Sequence, residues 1–268
     1  MAPKRLRLTA PDDANQLRNA ADYEAQLDAL QLRLVQIQQA AMRSRERGIV
    51  VLEGWDAAGK GGLIRRLNAR LDPRFVKVIP IAEPKPDEQG RHYLYRFWQG
   101  LPLPGTITVF DRSWYGRVLV ERVEKLIPPS AWKRAYDEIN AFEAMLVDDG
   151  IRLVKLFLHI SAEEQIRRFK DRMETPHKRW KLTMSDLRNL ERRGEYQRAI
   201  DDMFAHCHTR RAPWDVIASD YKWWSRCQAM SRIVAVLGKG LSIEPAPADP
   251  KLARQLKSLR KKIRARKK

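Results

Sequence analysis

Gly54, Gly59 and Lys60, within Gly54-Trp-Asp-Ala-Ala-Gly-Lys60, fit the spacing G-x-x-x-x-G-K of a phosphate-cradling loop. In such a loop the backbone N–H groups converge on phosphate oxygens, an approach that a Cβ would obstruct, and the following helix adds the partial positive charge of its N-terminus. Lys60 supplies a mobile full charge. The position after the lysine ordinarily offers a Ser or Thr hydroxyl to Mg²⁺, and here it is Gly61. Asp56, inside the loop, calls for a cation between its carboxylate and the phosphates, so it is read as the replacement metal ligand. A second carboxylate, Asp111, closes the run Thr106-Ile-Thr-Val-Phe-Asp111. A strand ending in Asp downstream of a phosphate loop sets that carboxylate at the carboxyl edge of a sheet, where it holds Mg²⁺ directly or through water. Arg112 and Arg117 follow within six residues. A guanidinium gives phosphate oxygens planar, bidentate donors, although Arg112 has competing ion-pair partners in Asp111 and Glu121.

These groups need a scaffold, and the apolar spacing supplies one. Ile49 to Leu52 is a buried-strand run, and Leu63, Ile64 and Leu67 recur at helical spacing after the glycines. Tyr23, Leu27, Leu30, Leu34, Ile37 and Ala41 step by four and three, which predicts a long helix to about Arg45. Phe75 to Ile81 reads as a strand, Pro84-Lys85-Pro86 as a stop, and Asp87 as the start of a helix carrying Tyr93, Leu94, Phe97 and Trp98. Further helices are expected over Val118 to Lys125, Trp132 to Val147 and Tyr221 to Leu237. Further strands are expected over Ile151 to Ile160, with Val154, Leu156 and Leu158 alternating with Lys155 and Phe157, and over Trp214 to Ile217. Strands alternating with helices indicate parallel βαβ units, hence a three-layer α/β/α, P-loop kinase-like parallel sheet. Residues 1–20 read as a loosely held arm, 21–240 as the P-loop domain and 241–268 as linker and basic tail.

Between two expected core strands, residues 165–198 hold eleven Lys or Arg against five acids. A mobile basic lid closes over phosphates at this point in P-loop kinases, excluding water and bringing arginines to the transferring group. Pro176 divides the stretch into two helical pieces. His206-Cys207-His208 has no neighbouring Cys or His to complete a zinc site.

The chain has 268 residues and a formal net charge of +19. Such charge points to polyanions: nucleic acid, anionic lipid or a phosphate polymer. Residues 251–268 hold ten Lys or Arg and no acid, and removing those ten charges from +19 leaves +9. The sequence has no apolar run long enough to span a membrane and no secretory h-region. Two cysteines make no disulfide framework, so a reducing cytoplasm fits.

Taken together, Gly54-Trp-Asp-Ala-Ala-Gly-Lys-Gly-Gly62, Phe110-Asp-Arg-Ser-Trp-Tyr-Gly-Arg117, Val120-Glu-Arg-Val123, Arg168-Phe-Lys-Asp-Arg172, Lys178-Arg-Trp-Lys-Leu182 and Ala212-Pro-Trp-Asp215 resemble the polyphosphate kinase 2 family. The resemblance covers roughly Tyr23 to Leu237. It implies reversible transfer of the terminal phosphoryl group of inorganic polyphosphate to an adenine or guanine nucleotide, with Mg²⁺ or Mn²⁺ in its place. It implies that Asp56 and Asp111 share the metal, that Lys60, Arg112 and Arg117 grip the reacting phosphates, and that Arg172 acts from the lid with Lys181. Phosphate and nucleotide contacts would extend over Gly54, Ala57, Ala58, Gly59, Gly61, Gly62, Glu121, Arg122, Arg168, Lys178 and Lys181. It further implies a homo-oligomer, dimer or tetramer.

His92 to Trp98, Tyr115 to Arg122 and Ala135 to Asn140 are most similar to the branch that phosphorylates AMP. Arg192-Arg-Gly-Glu-Tyr196 departs from relatives that carry Trp-Asp and a second acid before the tyrosine, placing positive charge near the lid. Two other readings stay open: an ATP-dependent nucleotide or nucleoside kinase, against which Gly61 argues, and a polyanion-binding protein with a vestigial loop. Nucleic acid is not expected as a substrate, since basic residues in the tail are not interleaved with aromatics.

Overall fold

The computed structural model describes residues 6, 8, 17, 19–245 and 247–265, so most of the arm read over residues 1–20 lies outside the described residues. Within that arm Leu17 is buried against Tyr23 and Cys227, and the Tyr221 hydroxyl donates to its carbonyl.

In chain order the elements are α1 (Ala20–Ser44), β1 (Arg47–Gly54), α2 (Lys60–Asn68), β2 (Val76–Pro80), α3 (Tyr95–Trp98), β3 (Ile107–Asp111), α4 (Val120–Val123), α5 (Pro129–Asp148), β4 (Ile151–His159), α6 (Ala162–Glu174), α7 (Met184–Glu191), α8 (Arg193–Cys207), β5 (Trp214–Ala218), α9 (Lys222–Leu237) and α10 (Pro250–Ala265). The five strands form one parallel sheet in the order β2-β3-β1-β4-β5. Central β1 is buried from Gly48 to Glu53, which accounts for its unbroken apolar run. Helices α1, α2 and α9 pack together, α5 packs with α8, and β4 touches both α9 and α5, so helices flank the sheet in a three-layer α/β/α arrangement. No helix among the described residues is long and apolar enough to cross a membrane.

The structure differs from the spacing argument in four places. The expected helix from Asp87 is a 3-10 turn, Pro86–Glu88, followed by the single turn α3, because Gly90 takes a left-handed φ of 74° between them. The helix expected over Val118 to Lys125 is shortened to the single turn α4, preceded by a 3-10 turn at Trp114–Arg117. Pro176 does end a helix, but the lid has three helical segments rather than two: Thr183 caps α7 by accepting from Asp186 N, and Arg192 separates α7 from α8.

The fourth difference is Lys155. It breaks the polar–apolar alternation expected of β4, yet it is wholly buried. Its Nζ donates to Glu143 Oε2 at 2.7 Å, the Tyr115 hydroxyl at 2.8 Å and Cys207 O at 2.9 Å. Glu143 Oε1 in turn accepts from Trp114 Nε1 and the Tyr115 hydroxyl. A buried charge persists only when paired and fully hydrogen-bonded, and this pair ties β4 to α5, α8 and the turn that follows Asp111.

Candidate active site

The loop begins where β1 ends. Gly54 has φ 141°, and a Cβ there would lie 2.4 Å from Leu158 O, so only glycine permits this crossing over β4. Gly59 (φ 114°) and Ala57 (φ 63°) complete the turn, and α2 starts at Lys60. Lys60 folds back, donating from Nζ to Gly54 O at 2.8 Å and Trp55 O at 3.2 Å. Burial lowers its proton affinity, opposed by the Asp56 carboxylate. A Cβ on Gly61 would meet nothing within 4 Å, so the place usually taken by a hydroxyl is open.

β3 lies beside β1 with Asp111 in register with Leu52, which brings the strand-ending carboxylate to the same edge as the loop. Arg112 follows in the left-handed region at φ 65°, a backbone cost that turns its side chain back toward the loop. Its Nη2 lies 3.1 Å from Asp56 Oδ1. The ion pair is therefore with Asp56 and not with Asp111 or Glu121, the partners that the sequence offered as an alternative to phosphate. The Asp111 carboxylate accepts no hydrogen bond from a described residue and lies within electrostatic reach of Lys60 and Arg112.

The lid segments close over Asp56 from above. Asn189 Nδ2 on α7 donates to Asp56 Oδ2 at 2.8 Å, and the Tyr196 hydroxyl on α8 donates to Asn189 Oδ1 at 3.1 Å. Gln165 Nε2 on α6 donates to Asp56 O at 3.1 Å, while Gln165 Oε1 accepts from Arg193. Arg193 also donates to Ile160 O at 2.5 Å, and its guanidinium carbon stands 3.9 Å from the ring centroid of Trp55. The departure noted at Arg192–Tyr196 thus has a local use, since Arg193 stacks α8 on the loop. Glu53 is a further buried group at this edge, accepting from Ser113 Oγ at 2.8 Å. Burial raises its proton affinity, opposed by that hydrogen bond and by Lys60 and Arg112.

Asn189, Gln165 and Glu53 were not identified by sequence reasoning, and Arg193 was marked only as part of the basic departure at Arg192–Tyr196. Glu53 directly precedes Gly54 and could have been flagged as a carboxylate at a strand end. Asn189 and Gln165 carry no local signal, because they lie 133 and 109 residues from Asp56.

Two clefts meet at the loop. One, beneath α7 and α8, is lined by Asp56, Arg112 and the apolar Trp55, Leu119, Phe157 and Ile200. The other, beside the start of α2, is lined by Ala57, Ala58, Gly59 and Gly62 together with Arg172, Lys178, Lys181, Lys222 and Arg226. Burial lowers the proton affinity of Arg172, countered by Asp186 and Asp56. Lys178 pairs with Asp171 at 2.9 Å.

Arg168 is placed otherwise than the phosphate-contact reading held. All five of its donors are used within the protein: Nε on Glu164, Nη1 on Ala57 O and Ala58 O, and Nη2 on Ser219 O and Asp220 O. It holds the back of the loop to α6 and the end of β5, leaving no N–H for a phosphate. Arg117 and Glu121 pair with each other, with Arg117 over Tyr93, and Arg122 is held by Tyr136 and Asp202 over Trp132.

The family model for polyphosphate kinase 2 matches residues 17–242. The chain belongs to the polyphosphate kinase 2 family. A polyphosphate:AMP phosphotransferase of Pseudomonas syringae pv. tomato is 45% identical over 82% of this chain and 44% of its own length. A GDP-polyphosphate phosphotransferase of Mycobacterium tuberculosis is 39% identical over 81% of this chain and 74% of its own length. The solved polyphosphate kinase 2 of Arthrobacter aurescens TC1 superposes with a TM-score of 0.84 at 30% identity, covering 92% of this chain and 90% of that one. The chain spans less than half the length of the polyphosphate:AMP phosphotransferases it matches. In this member of the family, the motif residues Asp56, Lys60, Asp111 and Arg112 converge at one sheet edge.

Proposed function

We propose that this polyphosphate kinase 2 member moves the terminal phosphoryl group between inorganic polyphosphate and a nucleoside mono- or diphosphate. The carrying observation is the meeting of two unlike clefts at the Gly54–Lys60 loop, one basic and one apolar with a carboxylate floor. Arg172, Lys178, Lys181, Lys222 and Arg226 give a phosphate chain a track that ends on the loop N–H groups. The apolar walls of the other cleft suit a nucleobase, and its Asp56 and Arg112 lie where an acceptor phosphate would arrive. The relatives at 42 to 45% identity carry AMP in their names, which supports AMP as the first acceptor to test.

Asp56 and Asp111 would hold Mg²⁺. Both are hard oxygen donors at one edge, the Asp111 carboxylate is unengaged by described side chains, and the space at Gly61 is open. When bound, the ion would neutralise charge on the phosphoryl oxygens. Lys60 and Arg112 would bear on the same oxygens. The lid contacts of Asn189 and Gln165 would exclude water and fix the loop while an acceptor oxygen attacks in line. No protein nucleophile is called for. Cytoplasmic location and assembly as a dimer or tetramer complete the reading, supported by two free buried cysteines and by the family resemblance.

The test offers the purified protein long-chain polyphosphate and Mg²⁺ with AMP, ADP, GMP and GDP separately, and follows products by chromatography. ADP from AMP, or a triphosphate from a diphosphate, is expected. A folded sample that uses ATP but not polyphosphate as donor would overturn the proposal.

A further inference from the structure

We propose that α10 is a membrane-surface helix that seats an aliphatic stripe in an anionic lipid bilayer. The site described above does not use this segment. Its N-terminus is capped by Asp249, which accepts from Lys251 N at 2.7 Å, and a Pro-rich stretch, residues 245–250, separates it from the body.

Leu252, Leu256, Leu259 and Ile263 are 64%, 70%, 54% and 58% exposed, so the body does not cover them. Their spacing of four, three and four puts them within about 60° of arc on a helix of 3.6 residues per turn. Lys251, Arg254, Lys257, Arg260, Lys262 and Arg264 occupy the rest of the circumference, and no acid occurs from residue 250 to the end of the chain. Arg260 and Lys262 border the stripe on either side. A narrow apolar face flanked by cations is what a helix lying in a headgroup layer requires: the aliphatic side chains enter the acyl boundary while the basic side chains extend to lipid phosphates.

Charge complementarity selects this occupant. A soluble phosphate polymer would satisfy the cations and leave the four aliphatic side chains in water. A second α10 would cover the stripe, whose spacing fits a heptad seam, but would bring together two helices that carry basic residues and no acid. An anionic bilayer takes up both features together, with basic residues near its surface adding to binding and the contribution weakening with salt.

The experiment sediments the full chain with vesicles of phosphatidylcholine alone and with vesicles containing roughly one third phosphatidylglycerol. At least a tenfold preference for the anionic vesicles is expected, falling as salt rises. The uncharged double substitution Leu256→Gln, Leu259→Gln is expected to lower that binding about tenfold while leaving the melting temperature unchanged, because neither side chain packs on the body. Equal binding by this variant would show that charge alone is read, and would overturn the proposal. So would a shift of the lipid-free variant to a smaller particle in solution, which would mean that a second copy covers the stripe.

Discussion

Asn189 Nδ2 donates to Asp56 Oδ2 across 2.8 Å, joining the second lid helix to the phosphate loop over 133 residues of chain. The same carboxylate takes Arg112 on its other oxygen, so Asp56 is oriented from two sides before any substrate arrives. Asn189→Ala frees one oxygen and loosens α7 from the loop. A fall of roughly tenfold in kcat is expected, since small displacements at a phosphoryl-transfer site are costly, with thermal stability nearly unchanged. Steady-state kinetics with polyphosphate and AMP check this, and an unaltered kcat would remove Asn189 from the site.

In the proposed reaction Lys60 and Asp111 supply the two charges that transfer would need. Lys60→Ala and Asp111→Asn are each expected to reduce turnover by about 10²-fold or more, because stabilisation of developing charge has no substitute at this edge. Circular dichroism and melting curves of both variants are expected to match the parent. Near-normal turnover in either one would end its assigned role.

Arg168 predicts a different signature. The residue is 4% exposed, and its guanidinium spends all five donors on Glu164 and four backbone carbonyls. Arg168→Ala orphans those acceptors and is expected to destabilise the fold by about 3 kcal/mol. That corresponds to a melting temperature lower by roughly 6–12 °C in a chain of this size. Arg168→Lys is expected to recover little of it, since an ammonium cannot span the same fork of partners. A variant as stable as the parent but weaker for polyphosphate would instead restore Arg168 as a phosphate ligand.

Asp72 gives a pH prediction remote from the site. Its carboxylate accepts from the side chain and backbone N of Arg74, which hold its pKa at about 2 against an ordinary 3.8. The folded protein thus binds this proton less readily than the unfolded chain does, so the group stabilises the fold above pH 3.8 and that contribution is lost as pH falls toward 2. The stability difference between the parent and Asp72→Asn is expected to be largest near neutral pH, to shrink as pH falls through about 2 and to vanish below it. Denaturant titrations at several acid pH values check it; a difference independent of pH would show that the carboxylate charge is not what matters.

The sequence by itself determined the strand–loop–helix of β1 and α2, the carboxylate at the end of β3 and the parallel α/β architecture. These are local patterns: aliphatic runs long enough for buried strands, helical recurrence, and glycines where the backbone must take positive φ. Its errors were local too, at Gly90 and Thr183, where one turn or cap divides a helix that apolar spacing alone would continue.

Which lid cations line the clefts with donors to spare, and which hold the protein together, was decided only by the tertiary structure. Arg168, Arg172 and Arg193 look alike in a basic stretch, yet one is a buried strut in the wall of the basic cleft with every donor spent, one lines that cleft beside it and one stacks on Trp55. Lys155 sits in a strand as an apparent surface residue until Glu143, twelve positions away on α5, buries its charge. A charged side chain is satisfied equally by water, by a neighbouring carboxylate or by a ligand. Only the packing of distant segments, by excluding water from one of these and supplying acceptors at another, fixes which it will be.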